Sequence, residues 1–278
     1  MPLDAARVLD FANAIGNNAL TFFAGALVLL LTLVACLWHF VHRVNRSSSA
    51  LVAAAARSQF RASAFAFATV VVAVLVFSLV PAWFVPNGTL TQADQAMTDA
   101  MQRSVSASTV HVFATVTLLA NTPVLWAIAI AGALVLLSRR DYALAVVWIA
   151  SIAGNGILTR VLKVAFERAR PVYDQDLLTL HGYSFPSGHS SGAVATYGAL
   201  AYVLVRSTPQ NWHLPIVLSA TATAFVIGSS RFFLRAHYAS DVFAGFASGL
   251  AWLCLCVMCA ELIRSAARQT NARVPAKR

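Results

Sequence analysis

The sequence is poor in charge. Only 11% of its 278 residues are charged and just 10 are acidic, whereas 59% are apolar. Such a composition excludes a single soluble globular domain, because the chain holds more hydrophobic surface than one soluble core could bury. Together with a mean hydropathy of +0.71, it predicts a protein that crosses a membrane several times.

Cysteine is also scarce. The four cysteines all lie inside apolar runs, at Cys36, Cys254, Cys256 and Cys259. The spacing of the last two occurs in metal and redox sites, but here it would lie within a lipid-embedded helix. We interpret all four as small apolar packing residues and expect neither a disulfide framework nor a metal site.

The sequence lacks the strict apolar and polar alternation of outer-membrane strands, which excludes a transmembrane barrel. Its apolar runs instead approach the ~20 residues that a helix needs to cross the hydrocarbon layer. They predict an all-α, polytopic transmembrane helical bundle. In the last run, the spacing of Gly245 and Gly249 is typical of closely packed helices. The predicted spans are about 20–41, 62–85, 110–137, 142–165, 188–206, 213–233 and 238–263.

Basic residues outnumber acidic ones and give a net charge of +10. The positive-inside rule places the connections that collect them in the cytoplasm, with the N-terminus outside and the C-terminus inside. This pattern fits the inner (cytoplasmic) membrane of a bacterium. No nucleic-acid-binding module accompanies the charge, so nucleic acid is not an expected partner. The basic residues in question are Arg43, Arg46, Arg57, Arg61, Arg139, Arg140, Arg206, Arg264, Arg268, Arg273, Lys277 and Arg278.

The first apolar run contains Leu33-Val34-Ala35-Cys36, which resembles a lipoprotein cleavage box. A signal peptide carries its basic residues before the apolar stretch, whereas here they follow it. The run also continues past Cys36 to Val41. An uncleaved membrane anchor is therefore the favoured interpretation, with a cleaved signal as the alternative.

The outer stretch 86–109 begins with residues typical of a turn. Thr91 and Asp94 then fit a capping pattern, which would open a short surface helix that shapes a lipid entrance. A plain connector is the favoured interpretation. The apolar stripe of such a helix would consist of Leu90, Met97, Met101 and Val105.

Three short patterns stand out at the predicted outer ends of the spans. In the first, Lys163 and Arg170 lie about two helical turns apart, on one face if the helix continues. Pro171 would then end the helix. Ammonium and guanidinium groups both bind phosphate oxygens. Positive charge at the outer end of a span goes against the positive-inside rule, which indicates that these two residues have a function there. The neighbouring Arg160 and Arg168 are interpreted as interface or topology residues.

The second pattern, Pro186-Ser187-Gly188-His189, predicts the start of a helix. Ser187 would be the N-cap, and the free N–H groups that follow favour a bound anion. Gly188 leaves space for a phosphate to approach the backbone. Taken alone, this pattern also fits an ordinary turn and cap.

The third pattern is Ser230-Arg231, followed by His237 and Asp241. On the opening turns of the last helix, His237 and Asp241 would share a face and hydrogen-bond. A carboxylate that binds one ring nitrogen leaves the other free to attack. Such a pair alone is more often structural, so the interpretation depends on all three patterns occurring on one side of the membrane.

The patterns Lys163-x6-Arg170-Pro171, Pro186-Ser187-Gly188-His189 and Ser230-Arg231-x5-His237-x3-Asp241 together resemble the signature of the type 2 phosphatidic acid phosphatase superfamily, lipid phosphate phosphatases related to vanadium haloperoxidases. Every specified position matches. The resemblance implies a six-span phosphatase core at 62–263. An N-terminal anchor and cytoplasmic loop at 1–61 would precede it, and a basic cytoplasmic tail at 264–278 would follow.

The resemblance also implies a role for each residue. His237 would be the nucleophile that forms a phosphohistidine, Asp241 would orient it, and His189 would act as general acid and then as base. No metal or other cofactor is implied, in agreement with the lack of a carboxylate cluster in the sequence. The phosphate would be held by Lys163, Arg170, Ser187, Gly188 and Arg231.

The predicted function is a metal-independent integral-membrane phosphatase that acts on a lipid phosphate at the periplasmic face, with a bell-shaped pH profile set by two imidazoles. The substrate stays open among phosphatidic acid, phosphatidylglycerol phosphate, undecaprenyl diphosphate and lipid A. Two alternatives involve no chemistry: a transporter or flippase that binds anionic headgroups, and a structural or sensory protein with a vestigial site. Protein partners and oligomeric state are left open.

Overall fold

The computed structural model describes residues 5–46, 88–171 and 182–273, which contain helices and no strand. Short 3₁₀ turns at Thr117–Ala120 and Gln210–Trp212 precede the fifth and eighth helices. The predicted all-α class is confirmed. The α-helices are Ala5–Asn17 (α1), Ala19–Arg46 (α2), Thr89–Ser104 (α3), Ala107–Val116 (α4), Thr122–Ser138 (α5), Tyr142–Phe166 (α6), Gly188–Ser207 (α7), His213–Phe233 (α8) and Ala239–Arg273 (α9).

Five described segments are long and apolar enough to cross a membrane, which confirms a multi-pass membrane protein. α7, predicted as a span, is not among them because it carries short polar side chains such as Ser190, Ser191 and Thr196. The predicted span 62–85 lies outside the described residues. The last helix continues past its predicted end, as far as Arg273. The five segments are Ala19–Arg43, Ala107–Ser138, Tyr142–Phe166, Gln210–Phe233 and Ala239–Ser265.

The predicted span 110–137 lies within the candidate span Ala107–Ser138, but it is not one continuous helix. α4 ends at Val116, a 3₁₀ turn follows, and Asn121 is extended (φ −64°, ψ 144°) before α5 begins. Pro123 in the first turn of α5 favours this break, because that position needs no backbone N–H. The break places Thr117 beside α8 and Asn121 beside α7, where both side chains make hydrogen bonds.

α7 contacts α6, α8 and α9, and its buried side chains are all small. A Cβ added at Gly245 would lie 2.6 Å from the Ser187 carbonyl oxygen, and one at Gly249 would lie 2.6 Å from the Ser191 carbonyl oxygen. Side chains cannot approach backbone oxygens so closely, so the predicted close packing at these two glycines is confirmed. The contacts hold the start of α9 against the start of α7.

Aromatic rings pack α2 against the rest of the bundle. The Phe23 ring lies edge-on to the rings of Phe113 and Phe233, with centroid separations of 5.4 and 5.6 Å. The rings of Phe113 and Phe233 stack on each other at 4.1 Å. This cluster ties α2 to α4 and α8. The helix itself runs without a break through Cys36.

The outer stretch is a packed helix, so its interpretation as a plain connector is wrong. α3 begins at Thr89, after an extended Gly88, and the predicted cap at Thr91 is therefore wrong as well. α3 packs along α1, a helix that the sequence analysis did not predict. Met101 of the predicted apolar stripe is buried, and so is the carboxylate of Asp94. α3 thus contributes both to the core and to the polar end of the bundle.

Candidate active site

The three sequence patterns meet at the end of the bundle where α6 ends and α7 and α9 begin. The Ser187 N–H donates to the Asp241 carbonyl (3.0 Å), and Arg170 Nη1 lies 3.2 Å from His237 Nε2. His189 lies within electrostatic range of Arg170 and His237. The structure thus brings together the whole predicted set of Lys163, Arg170, Ser187, Gly188, His189, Arg231, His237 and Asp241.

Three cations of this set have no carboxylate within ion-pair distance among residues 5–46, 88–171 and 182–273. Lys163 Nζ and Arg170 Nη2 both donate to the Tyr183 carbonyl. Arg231 Nη1 donates to Thr117 Oγ1 (3.0 Å), whereas the buried Arg231 Nε–H has no hydrogen-bond partner in the described part of the chain. A buried donor without a partner is costly, and a bound anion would satisfy it.

The first pattern does not lie on one continuous helical face. α6 ends at Phe166 because Glu167 adopts a left-handed conformation (φ 46°), which is a common way to end a helix. Pro171 is therefore not the residue that ends the helix. Arg170 reaches the site from the following loop, where Nη1 donates to the Ala236 carbonyl (2.8 Å).

The second pattern forms the start of α7 as predicted. Ser187 is the N-cap, and its Oγ accepts hydrogen bonds from the Ser190 N–H (3.4 Å) and the Ser190 hydroxyl (2.8 Å). A Cβ added at Gly188 would make only an ordinary contact, 3.7 Å from Thr159 Cγ2. Protein packing therefore does not require glycine at 188, which leaves the approach of a ligand as a reason for it.

In the third pattern, a serine bridges the histidine and the carboxylate. His237 precedes α9, so its predicted place on the helix is wrong, and Nδ1 lies 3.6 Å from Asp241 Oδ2, too far for a direct hydrogen bond. Ser184 Oγ lies 3.2 Å from His237 Nδ1 and donates to Asp241 Oδ2. With Arg170 donating to Nε2, the proton lies on Nδ1, and the Nε2 lone pair faces the cations.

The environment of His237 favours its neutral form. Burial lowers the pKa of His237 to about 4, and the charges of Arg170 and Lys163 act in the same direction. Asp241 opposes this shift. The ring is therefore unprotonated at neutral pH, which is the state that a nucleophile requires.

His189 has a partner that the sequence analysis missed. Its Nε2 lies 3.1 Å from Asn121 Oδ1, so the side chain of Asn121 fixes the orientation of the ring. Asn121 stands in the break between α4 and α5. Pro123, in the middle of an apolar run, is the sequence signal for that break.

The interpretation of Arg168 as an interface or topology residue is wrong. Arg168 Nη1 lies 2.6 Å from Asp241 Oδ1, and Nη2 lies 2.9 Å from Asp94 Oδ2. Arg160, by contrast, is exposed. The available sequence signal was a further basic residue between Lys163 and Arg170, at an end of a span where positive charge is unexpected.

The described residues contain no group of three or more His, Cys, Asp or Glu side chains placed to hold a metal ion. Their cysteines are free. The polar groups at this end of the bundle are cations, imidazoles and hydroxyls, which suit an anionic ligand.

Residues 144–264 match the PAP2 superfamily, and the chain therefore carries a PAP2 superfamily domain. The matched range includes all three sequence patterns, from Lys163 to Asp241. Asp94 and Asn121 precede it. The two residues are thus additions to the site from outside the matched range.

Two curated bacterial proteins show what the chain is similar to. It is 40% identical over 96 residues to phosphatidylglycerophosphatase B of Bacillus subtilis, covering 34% of this chain and 47% of that protein. It is 36% identical over 110 residues to lipid A 1-phosphatase of Rhizobium johnstonii, covering 36% of this chain and 41% of that protein. The chain thus spans about half the length of the curated relatives that it matches.

A solved structure is similar over a longer part of the chain. It is the crystal structure of a transmembrane PAP2 type phosphatidylglycerolphosphate phosphatase from Bacillus subtilis. The TM-score is 0.63 with 28% sequence identity, and the match covers 70% of this chain and 97% of the other. This likeness confirms the predicted transmembrane helical bundle.

Proposed function

We propose that this protein is an integral-membrane lipid phosphate phosphatase that works through a phosphohistidine on His237 and requires no metal. The observation that carries the proposal is the convergence of Lys163, Arg170 and Arg231, without carboxylate partners in the described ranges, on the end of the bundle where His237 Nε2 lies. A phosphate held there satisfies the buried Arg231 Nε–H and lies against a neutral nucleophile.

In the first half of the reaction, Arg170 Nη1 turns from His237 Nε2 to an oxygen of the bound phosphate. The freed Nε2 lone pair attacks phosphorus, and the bond to the lipid oxygen breaks. His189 donates a proton to the departing alkoxide, and the phosphoryl group remains on Nε2. The bonds from His237 Nδ1 through Ser184 to Asp241 support the charge that the ring gains. The three cations stabilise the oxygens of the transferring group.

In the second half, His189 accepts a proton from water, whose oxygen attacks phosphorus and displaces Nε2 of His237. Inorganic phosphate leaves, and His189 has regained its proton. Asn121 holds the His189 ring through both steps, because its Oδ1 accepts from Nε2. The cycle is balanced without a redox partner or a metal.

A membrane lipid is the proposed substrate because the site lies at the end of apolar helices, where a headgroup meets the cations while its tails stay in the bilayer. The names of the relatives favour a glycerophospholipid phosphate or a lipid A phosphate. We place the site on the periplasmic face of the inner membrane. Arg206 and Arg264 support this orientation, since they cluster around Glu261 well away from the three patterns along α7 and α9.

A substrate screen tests the proposal. The purified full-length protein, in detergent with excess EDTA, is given phosphatidic acid, phosphatidylglycerol phosphate, undecaprenyl diphosphate and lipid A, and released phosphate is measured. Release from at least one of these lipids is expected. Release that appears only after Mg²⁺ is added contradicts metal independence, and no release under either condition contradicts the activity.

Gly188→Ala tests the space beside the start of α7. The protein accommodates the added methyl group, but a phosphate that approaches the backbone does not, so kcat/KM falls on the order of 100-fold for a displacement of ~1 Å. Gly156→Ala is the matched control, because Gly156 faces open space on α6. Neither variant should unfold below the wild-type temperature, because alanine favours a helix more than glycine does. Equal kcat/KM for both contradicts a phosphate at Gly188.

The pH dependence of kcat/KM tests the protonation state of His237. Because the pKa of His237 is lowered to about 4, the neutral form persists far below the ordinary histidine value of about 6.5. After correction for ionisation of the substrate phosphate, activity should therefore decline only below about pH 5 on the acid side. Burial and the neighbouring cations lower the pKa of His189 to about 3 in the free protein, so the proton that it donates as general acid depends on the negative charge of the bound phosphate. An acid midpoint near the ordinary histidine pKa contradicts the assignment.

A further inference from the structure

Arg168 joins two buried carboxylates that come from distant parts of the sequence. Its Nη1 contacts Asp241 Oδ1 (2.6 Å) and Ser240 Oγ (2.7 Å), and its Nη2 contacts Asp94 Oδ2 (2.9 Å). The guanidinium also lies over the Tyr238 ring, 4.4 Å from its centroid. The side chains of Arg168, Asp94 and Asp241 are only 9%, 6% and 0% exposed. Contacts of this kind are buried, charge-assisted and geometrically specific.

Asp94 extends this cluster to α3. Its Oδ1 accepts a hydrogen bond from the Ser240 N–H (3.2 Å) in the first turn of α9, and its Oδ2 accepts from the Ser240 hydroxyl. The free N–H groups at the start of a helix favour a carboxylate in this position. Asp94 therefore fixes both the Arg168 guanidinium and the first turn of α9, which carries Asp241.

We propose that Arg168 and Asp94 are positioning residues, which hold Asp241 so that one of its oxygens is turned to the Ser184 and His237 side of the site. The inference rests on the proposed function, in which His237 is the nucleophile. It assigns Arg168 a task different from that of the three phosphate-binding cations.

The two oxygens of Asp241 show how the arrangement works. Arg168 occupies Oδ1, whereas Oδ2 accepts from Ser184 and from the Tyr238 N–H (3.1 Å) and is the oxygen nearest His237 Nδ1. Without the guanidinium, the carboxylate could rotate and its second oxygen would be buried without a charged partner. The His237 ring would then lose its fixed orientation.

Arg168 also weakens the electrostatic effect of the Asp241 carboxylate on the protonation of His237. The charged or titratable groups that face His237 are Asp241, which favours the protonated ring, Arg170 and Lys163, which oppose it, and His189. The positive charge of Arg168 offsets the negative charge of Asp241. Removing it leaves the carboxylate to attract a proton to His237 more strongly, which raises the pKa of the imidazole.

The test compares Arg168→Gln, Arg168→Lys and Asp94→Asn with Arg160→Gln, a matched control at an exposed arginine of α6. Phosphate release from the lipid found in the screen is measured against substrate concentration and pH. Because Arg168 does not hold the phosphate, Arg168→Gln should lower kcat on the order of 100-fold with KM within about twofold. Its acid limb should move up by roughly one pH unit.

The two other variants separate charge from geometry. Arg168→Lys keeps the positive charge but loses the fork that bridges two carboxylates, so kcat falls while the acid limb stays near that of the wild type. Asp94→Asn leaves Arg168 charged, so kcat falls about tenfold or less and the acid limb does not rise. A role confined to stability would lower the unfolding temperature without this pattern of pH profiles.

His237→Ala, assayed alongside, distinguishes the two proposals. If His237→Ala still hydrolyses the lipid, the proposed function is wrong. If it is inactive while Arg168→Gln matches Arg160→Gln in kcat and pH profile, only the positioning role is overturned. Should Arg168→Gln not fold, Arg168→Lys and Asp94→Asn decide the matter, because unchanged kcat in both overturns the inference.

Discussion

His237→Ala is expected to abolish lipid phosphate hydrolysis, with a loss in kcat of at least about 10⁴-fold, as for the removal of other covalent nucleophiles. The loss follows from the proposed mechanism, in which Nε2 of this ring, beside Arg170, accepts the phosphoryl group. Lipid binding should persist, since Lys163 and Arg231 remain. The measurement is phosphate release under single-turnover conditions, together with binding of the intact lipid.

His111→Ala serves as the control, because His111 is exposed on α4 and is not part of the site. It should retain wild-type activity. The transporter or flippase alternative predicts the opposite pattern for His237→Ala, with lipid movement across reconstituted vesicles largely intact. Preserved hydrolysis in His237→Ala would exclude a phosphohistidine at this position.

His189→Ala is expected to separate the two halves of the reaction. Loss of a general acid and base costs about 10²- to 10⁴-fold for a lipid alkoxide, which is a poor leaving group. An aryl phosphate needs little help from an acid, so the variant should release one equivalent of phenolate in a rapid burst. Turnover then stops because no base activates water, and labelled phosphate accumulates on the enzyme.

The His189→Ala variant also provides a direct test of the nucleophile. The trapped label should be acid-labile, as a phosphohistidine is, and it should disappear in the double variant with His237→Ala. Equal slowing of aryl and lipid phosphates, without a burst, contradicts the assignment of His189. Absence of any trapped label in the single variant contradicts the phosphohistidine, and together with an inactive wild type it favours the alternative of a structural or sensory protein with a vestigial site.

The parts of the molecule that follow from local rules were predictable. Runs of apolar residues indicated the membrane helices, and the serine at position 187 indicated the start of α7. The spacing of Gly245 and Gly249 indicated close helix packing. The helix signals act within a few residues, whereas the glycine spacing indicates a closely packed face of α9 without identifying α7 as its partner.

The residues that were missed depend on contacts between distant segments. Asp94 and Arg168 lie 74 positions apart in the sequence. Neither has a neighbour that indicates its partner, and a lone arginine near the end of a span is equally compatible with the membrane interface. The bond between Asn121 and His189 spans 68 positions and depends on a helix break. Such pairings are decided by how the bundle folds.

The close approach of His237 to Asp241 was predicted only in part. A separation of four residues suggests a direct bond on a helix, but the chain at His237 is not yet helical, and Ser184 fills the gap. Ser184 lies two residues before Pro186, where the second pattern begins. No helical spacing rule links it to the third pattern.

The seating of Asp94 against the first turn of α9 has a consequence for protein engineering. Residues 144–264 alone would leave Arg168 facing a single carboxylate, with the first turn of α9 missing its acceptor. A chimera that transplants only this segment into another membrane scaffold would contain every motif residue but would lack Asp94, which holds Arg168 and the first turn of α9. Grafts should therefore carry residues 88–121 along with the motifs.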